Sequence, residues 1–365
     1  MKQFCLILFI LMNSGVLFAV DYSIIDKQSL TVPANKRTNA EIAGFLTQNL
    51  STPIEKIRAI FIWITHNISY DLDRMNAKIT YFDQQELADD ALQRRKGVCA
   101  NYAALFDASC NSIGIRSYLV EGYVRQNGEP IYKSHAWNVV EIDKHYYFFD
   151  PTWAAGFMRN NEYVNEYRDN FFQIQPDEFI KTHMPLDPIW QCITNPISYN
   201  EFDINDFQKL NSKSNFNFSD SIKSLSKLKN IDKLERENKR ITLCGGINNY
   251  VREEMANLSL QINNENLRIQ SEKYNEVVNH VNKAVNDFNM YIQTRTRDNS
   301  FTPRNKQRFL ELLTSARNET LAGKTISISV NNWNTDLKNQ ISQLKFTIDD
   351  MLNNINREIS DIKNH

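Results

Sequence analysis

The 365-residue chain is sparing with the residues that staple or punctuate a fold: it has five cysteines, ten glycines and nine prolines. Beyond the first nineteen residues only Cys99, Cys110, Cys192 and Cys244 remain, too few for a disulfide framework. Cys192 and Cys244 are free to bridge each other or to stay reduced. No CxxC pair occurs and no two histidines sit at helical ligand spacing, so no metal site and no cofactor are expected. Neither sign of charge dominates, since 42 Lys and Arg face 43 Asp and Glu for a formal charge of -1. That balance excludes a purely electrostatic nucleic-acid binder. After residue 19 no apolar run approaches the roughly 20 residues of a membrane-spanning helix.

What is present begins with MKQFCLILFILMNSGVLFA, in which one lysine precedes an apolar stretch from Phe4 to Leu11 and small residues lead to Ala19. That is the pattern of a secretory signal over residues 1–19. It predicts a secreted or periplasmic mature protein without stable membrane insertion once the signal is cleaved. The apolar fraction, 42%, suffices for a real core, and the length suggests about two domains.

Helical and strand patterns divide the remainder. Ile54, Ile57, Ile60, Phe61 and Ile64 recur at helical spacing behind Pro53, with Ser51 or Thr52 as the cap. A second apolar stripe, Tyr102, Ala103, Phe106, Cys110 and Ile113, predicts a helix that starts at Cys99 and stops at Gly114. Residues 117–125, 134–142 and 145–150 are short, rich in β-branched and aromatic residues, and separated by turn signals at Asn127-Gly128 and Asp143-Lys144. Helix packed on an antiparallel sheet gives an α+β domain over 20–200. Residues 201–245 read as a polar linker region and 246–365 as a long-helix bundle or coiled coil. In that last region Leu337, Ile341, Leu344, Ile348, Met351 and Ile355 alternate by four and three, and Val278, Val281, Val285, Phe288 and Ile292 form a second stripe. Thr302-Pro303 opens a shorter helix there, which Gly323 closes. These helices offer a surface for self-association.

One constellation carries chemistry. At a helix start, Cys99 sits in the positive end of the helix dipole beside free backbone N–H groups, which favours a thiolate and can hold an oxyanion. If Asp143 and Lys144 are the two central residues of a hairpin turn, paired positions sum to 287. Trp137 then opposes Asp150, and His135 lies two positions along on the same face, within reach of the carboxylate. A three-residue turn would send His135 to the other face. The assembled set is Cys99 as nucleophile, His135 as general base and acid, and Asp150 as the group that fixes the histidine tautomer. Trp137 and Trp153 flank it as candidate walls for an extended peptide. Tyr70, Asp71 and Asp73 are a turn composition and are given no metal. His66, His145 and His183 lack an identifiable partner and are read as structural.

The runs KGVCANYAALFDASCNSIGIRSYLVEGYV, SHAWNVVEI and YYFFDPTWAAG together resemble the transglutaminase-like superfamily of Cys-His-Asp enzymes. WITHNISYD and FFQIQPDEFIKTHMPLDPIWQ are similar to its kyphoscoliosis-peptidase branch. The resemblance runs from about Ile54 to Gln191 and implies a papain-like α+β core with Cys99, His135 and Asp150 as its triad. It also implies an upstream side chain at the oxyanion, for which Trp63 and Tyr70 are the candidates. The expected activity is that of an exported cysteine peptidase or amidase, acting on a peptide or protein through a Cys99 thioester. Acyl transfer to an amine, as in a protein-crosslinking transglutaminase, and a non-catalytic peptide-binding scaffold are the alternatives.

Overall fold

The computed structural model describes residues 21–75, 83–160, 162–211, 217–330 and 332–365. The expected signal, 1–19, lies outside the described residues. The chain divides into two compact units, one holding the residues up to 226 together with 240–252, the other 227–239 with 253–365.

The first unit opens with helices α1 (Ser23–Ser29), α2 (Asn39–Thr47) and α3 (Pro53–Asn67). Thr52 caps α3 reciprocally with Glu55, and Pro53 takes the first position, where its missing N–H costs nothing. A two-residue strand β1 (Ser69–Tyr70) follows, then α4 (Gln84–Arg94), β2 (Lys96–Gly97) and α5 (Cys99–Ser112). The main sheet holds β3 (Ser117–Gln126), β4 (Glu129–Ile142) and β5 (His145–Phe149). Next come α6 (Pro151–Ala155), the small hairpin β6 (Phe157–Arg159) and β7 (Glu162–Val164), α7 (Pro176–Phe179) and β8 (His183–Pro185). The sheet order is β5-β4-β3-β8.

Both long hairpins turn where the sequence signals them. Asn127 and Gly128 have φ of 51° and 83°, and Asp143 and Lys144 have 50° and 67°. Positive φ at both central residues gives the two-residue turns whose twist suits antiparallel strands. The β4–β5 ladder runs from Ile142↔His145 to Asn138↔Phe149, so the register is the one that sums to 287. Helix α5 lies in the first core with α3, and Phe61, Phe106 and Phe149 meet edge-on and stacked at 5.5–6.2 Å.

At the edge of the sheet β8 lies so close to β3 that a Cβ on Gly122 would come within 2.1 Å of the Met184 carbonyl oxygen. Only glycine allows that approach.

The region 201–245, expected as a polar linker, carries helices instead: α8 (Tyr199–Asp203) runs into it, followed by α9 (Phe218–Leu225) and α10 (Asn230–Cys244). Its residues 212–216 lie outside the described set. Ile222 and Ile241 are buried, so short amphipathic stretches, each with one deeply buried residue, are enough to order it.

The second unit is helical, with α11 (Asn249–Arg297), α12 (Pro303–Ser329) and α13 (Thr335–Asn364). Ile341, Ile348 and Ile355 are buried, following the four-three stripe. Of the expected α11 stripe Val281 is buried and Phe288 packs against the core, while Val285 and Ile292 are exposed and Val277, Ala284 and Tyr291 are buried beside them. Tyr291 decides the rotation: its ring packs edge-on against Phe309 and its hydroxyl donates to Glu358 at 2.6 Å. Gly323 does not close α12, which continues to Ser329. It sits where α11 approaches, with its Cβ position 3.4 Å from the Cβ of His280.

Candidate active site

Cys99 is the first residue of α5, and the local sequence builds that position. The Asn101 side chain accepts from the Val98 N–H at 3.1 Å and donates to the Leu87 carbonyl at 3.0 Å, tying the first turn to α4. A Cβ on Gly97 would stand 2.5 Å from that of Asn101, so the glycine two residues before the cysteine makes room for the anchor. The N–H groups of Cys99 and Ala100 open the helix with no intrahelical acceptor before them.

His135 comes from β4 and Asp150 from the end of β5. Asp150 is at the same time the N-cap of α6: its Oδ1 accepts from the backbone N–H of Thr152 and Trp153, both at 2.9 Å, with Pro151 at the first helical position. The aspartate-proline-threonine-tryptophan run is therefore a helix start whose capping carboxylate turns its other oxygen to histidine. His135 Nε2 donates to Asp150 Oδ2 at 2.7 Å, and Cys99 is close enough to the same imidazole to contribute to its electrostatics. With Nε2 committed to the carboxylate, Nδ1 is the nitrogen left for the sulfur.

Burial works against charge on His135, but Asp150 outweighs it and raises the imidazole to about 10, with Cys99 adding to the rise. Asp150 is itself buried, yet His135 first and His183 second hold its carboxyl well below the usual range. The buried pair is thus an imidazolium and a carboxylate.

Tyr70 reaches the site through the short parallel pairing of β1 with β2, which places it opposite Gly97. It stacks on Tyr163 at 5.3 Å, and burial, reinforced by charge on Cys99, holds its phenol protonated well above the usual value. Trp63, the other oxyanion candidate, is 3% exposed within the core, with Arg95 over its ring. A cleft of about 460 Å³ is walled by Tyr70, His135, Trp153, Phe157 and Tyr163 among others. Cys99 is half-buried and is not itself a wall residue, though its neighbours Tyr70 and His135 are.

Two sequence expectations are corrected. Trp137 does not line the cleft: it is fully buried against Phe179 and His183, because this part of β4 is covered on both faces. Trp153 does line it. His183, expected to lack a partner, places Nε2 3.2 Å from Asp150 Oδ2. The strand that carries it is three residues long and its partner lies 33 positions upstream, so no periodic signal announces the contact.

The nitrogen and oxygen atoms of His135, Asp150 and His183 lie within 4.8 Å of one another, a spacing that could also hold a metal ion. Hydrogen bonding accounts for the closeness, as both Nε2 atoms share one acceptor. Asp71 bonds Arg94 at 2.5 Å and Lys96 at 3.2 Å, and Asp73 pairs with Lys96 at 3.0 Å. The four described cysteines are free, so Cys192 and Cys244 do not bridge. Cys110, at the other end of α5, is buried and its thiol is pushed well up.

Residues 40–151 match the family model described as the Transglutaminase-like superfamily. The human kyphoscoliosis peptidase is 32% identical over 178 residues, 46% of this chain and 26% of that protein. Drosophila melanogaster hillarin is 26% identical over 207 residues, 50% of this chain and 24% of that one. A solved structure described as a TGase aligns at 19% identity over 44% of this chain and 40% of that one, with a TM-score of 0.27. The chain spans about a quarter of the length of the curated relatives it matches. A cysteine at the start of α5, a histidine on β4 and an aspartate at the end of β5 come together in this α+β unit. Residues 40–151 are thus similar to the transglutaminase-like superfamily, and the first half of the chain resembles the kyphoscoliosis peptidases of human and mouse, at 32% and 30% identity.

Proposed function

We propose that the first unit is a cysteine peptidase or amidase that cleaves an amide bond of a peptide or protein through a thioester on Cys99. The observation that carries the reading is the buried His135–Asp150 bond, with Nε2 of the imidazole 2.7 Å from the carboxylate and half-buried Cys99 beside the same ring. The sulfur attacks the carbonyl carbon, and its electron pair forms the C–S bond as the C–N bond breaks. The imidazolium gives its proton to the departing amine. Neutral His135 then takes a proton from water as its oxygen attacks the thioester carbon; the C–S bond breaks with its electron pair returning to sulfur, the acid leaves, and His135 keeps the proton as the imidazolium with which the cycle began. The first N–H groups of α5 and the Tyr70 phenol are the donors for the oxyanion. The triad alone permits an amine to replace water; the peptidase name of the human relative favours hydrolysis. Export, expected from residues 1–19, belongs to the same proposal.

The experiment is the pH dependence of Cys99 alkylation, followed by mass spectrometry with an added low-molecular-weight thiol as reference. Cys99 is expected to react well below the ordinary thiol pKa of about 8.5, and a His135→Ala variant to lose that reactivity. A wild-type Cys99 that behaves as an ordinary thiol overturns the enzyme reading in favour of a scaffold.

A further inference from the structure

We propose that His183 is a positioning residue of the triad: its Nε2–H donates to Asp150 Oδ2, the oxygen that also receives His135, and fixes the carboxylate on which the catalytic imidazole is aligned. This inference rests on the reading of Cys99, His135 and Asp150 as a triad.

The tautomer follows from the neighbours. The His183 side chain is completely buried, with Nε2 3.2 Å from Asp150 Oδ2 and Nδ1 2.7 Å from the Thr182 hydroxyl. An ionised carboxylate only accepts, so the proton belongs on Nε2; Nδ1 is then the acceptor for the Thr182 hydroxyl at 2.7 Å, in preference to the Phe179 carbonyl at 3.2 Å. The ring is clamped as well as bonded. It stacks on Phe179 at 3.9 Å and 16°, and meets Trp153 at 4.5 Å and Trp137 at 5.2 Å.

The charged or titratable groups facing the ring are Asp150, from the start of α6, and His135, from β4. The contact from α7 is Phe179, and on β3 the residue paired in register with His183 is the uncharged Val124. Burial dominates there and lowers the imidazole to about 4. His183 is therefore neutral at physiological pH and anchors Asp150 without bringing a second cation beside His135.

The consequence for the site lies in how completely the carboxylate is held. Oδ1 takes the Thr152 and Trp153 N–H groups, and Oδ2 takes both imidazoles. Without His183, Oδ2 would have His135 as its one imidazole donor, and the aspartate could follow that ring rather than align it.

Two substitutions separate positioning from packing. His183→Phe keeps the aromatic clamp and deletes the donor, whereas His183→Gln deletes the ring and keeps an N–H at about the place of Nε2. Alkylation of Cys99 at about pH 6 is expected to slow tenfold or more in the phenylalanine variant, with the midpoint of its pH profile displaced. The glutamine variant should stay within about threefold of wild type. A phenylalanine variant equal to wild type, or a glutamine variant no better than phenylalanine, overturns the proposal.

Imidazole 15N NMR of the unsubstituted protein gives an answer that needs no variant to fold. His183 should show the neutral Nε2–H tautomer between about pH 5 and pH 8, and the Nδ1–H tautomer would overturn the assignment. If wild-type Cys99 lacks activation, the enzyme reading falls. If Cys99 is activated and the variants rank the other way, the positioning role alone falls.

Discussion

The two units bury different kinds of group. In the first, Arg58, Asp71, Asn101, Arg125, His135, Asn138, Asp150, His183, Asp187 and Gln191 lie within the core. In the second, the buried hydroxyls among the described residues are those of Thr320 and Ser327, which donate back into their own helix, and that of Tyr291, which donates to Glu358 on α13. A buried charge or imidazole costs several kcal/mol unless its partners are in place, so the first unit is specified by identity at particular positions. The second is specified by pattern, and its residues are exchangeable wherever volume and face are kept. Chemistry needs the first kind of interior.

The sharpest way to break this contrast is at Asp150, which serves one catalytic imidazole, one anchoring imidazole and a helix cap. Asp150→Ala leaves His135 and His183 unpaired in a dry site. It is expected to cost the first unit about 3–5 kcal/mol and to abolish the low-pH reactivity of Cys99. Chemical denaturation with tryptophan fluorescence reads the first effect, since Trp63, Trp137, Trp153 and Trp190 belong to this unit, and Trp333→Phe removes the fifth. A loss below about 1 kcal/mol would mean that the network is ornamental.

Acid sharpens the same comparison. His183 is held at about 4 in the fold against 6.5 for a free imidazole, so the unfolded chain takes up its proton first as pH falls. Its contribution is complete above about 6.5, declines as pH falls, and levels off below about 4. Asp150, depressed in the fold, contributes above the usual carboxylate value of 3.8 and is lost at still lower pH. His135, raised to about 10, contributes fully below 6.5 and loses its share as pH climbs toward 10. His183 therefore weakens the first unit between pH 6.5 and pH 4, whereas Asp107, raised by burial to about 6, takes up its proton first in the fold and works the other way, so the His183 share is read as the difference between wild type and His183→Phe. The second unit, which buries no histidine among its described residues, should change little over that interval. Urea midpoints at a series of pH values, read by tryptophan fluorescence for the first unit and by far-UV circular dichroism for the helices, test both halves. Equal acid sensitivity of the two would remove the distinction.

What could be read from the residues follows the same divide between local and distant causes. The start of α5 at Cys99, the turn at Asp143-Lys144 and the register sum of 287 are written in short stretches, and they bring His135 and Asp150 together. Tyr70 could not be separated from Trp63, because its place depends on a two-residue parallel pairing with Lys96 and Gly97. Trp137 misleads because residues 135–140 are buried on both faces, which erases the alternation that tells inside from outside. His183 is invisible for want of neighbours in sequence. On α11 two overlapping stripes compete, and partners on α12 and α13 choose between them. The region 201–245 reads as linker because its helices are short and each relies on one deeply buried apolar residue.

The smallest effect is expected at Thr320, and its smallness is the point. The side chain is fully buried in the second unit, with its hydroxyl donating to the Ala316 carbonyl at 2.7 Å. That carbonyl keeps its ordinary helical partner when the hydroxyl is removed, and valine retains the β-branched outline. Thr320→Val therefore strands no polar group and opens no cavity, so the urea midpoint of the helical signal should move by less than about 0.5 kcal/mol. The same kind of change in the first unit, His183→Phe, removes a donor that Asp150 uses and leaves the Thr182 hydroxyl without its imidazole acceptor. A Thr320→Val cost comparable to that of Asp150→Ala would show that the helices, too, depend on a specific polar contact, and the contrast between an interior of identities and an interior of patterns would fail.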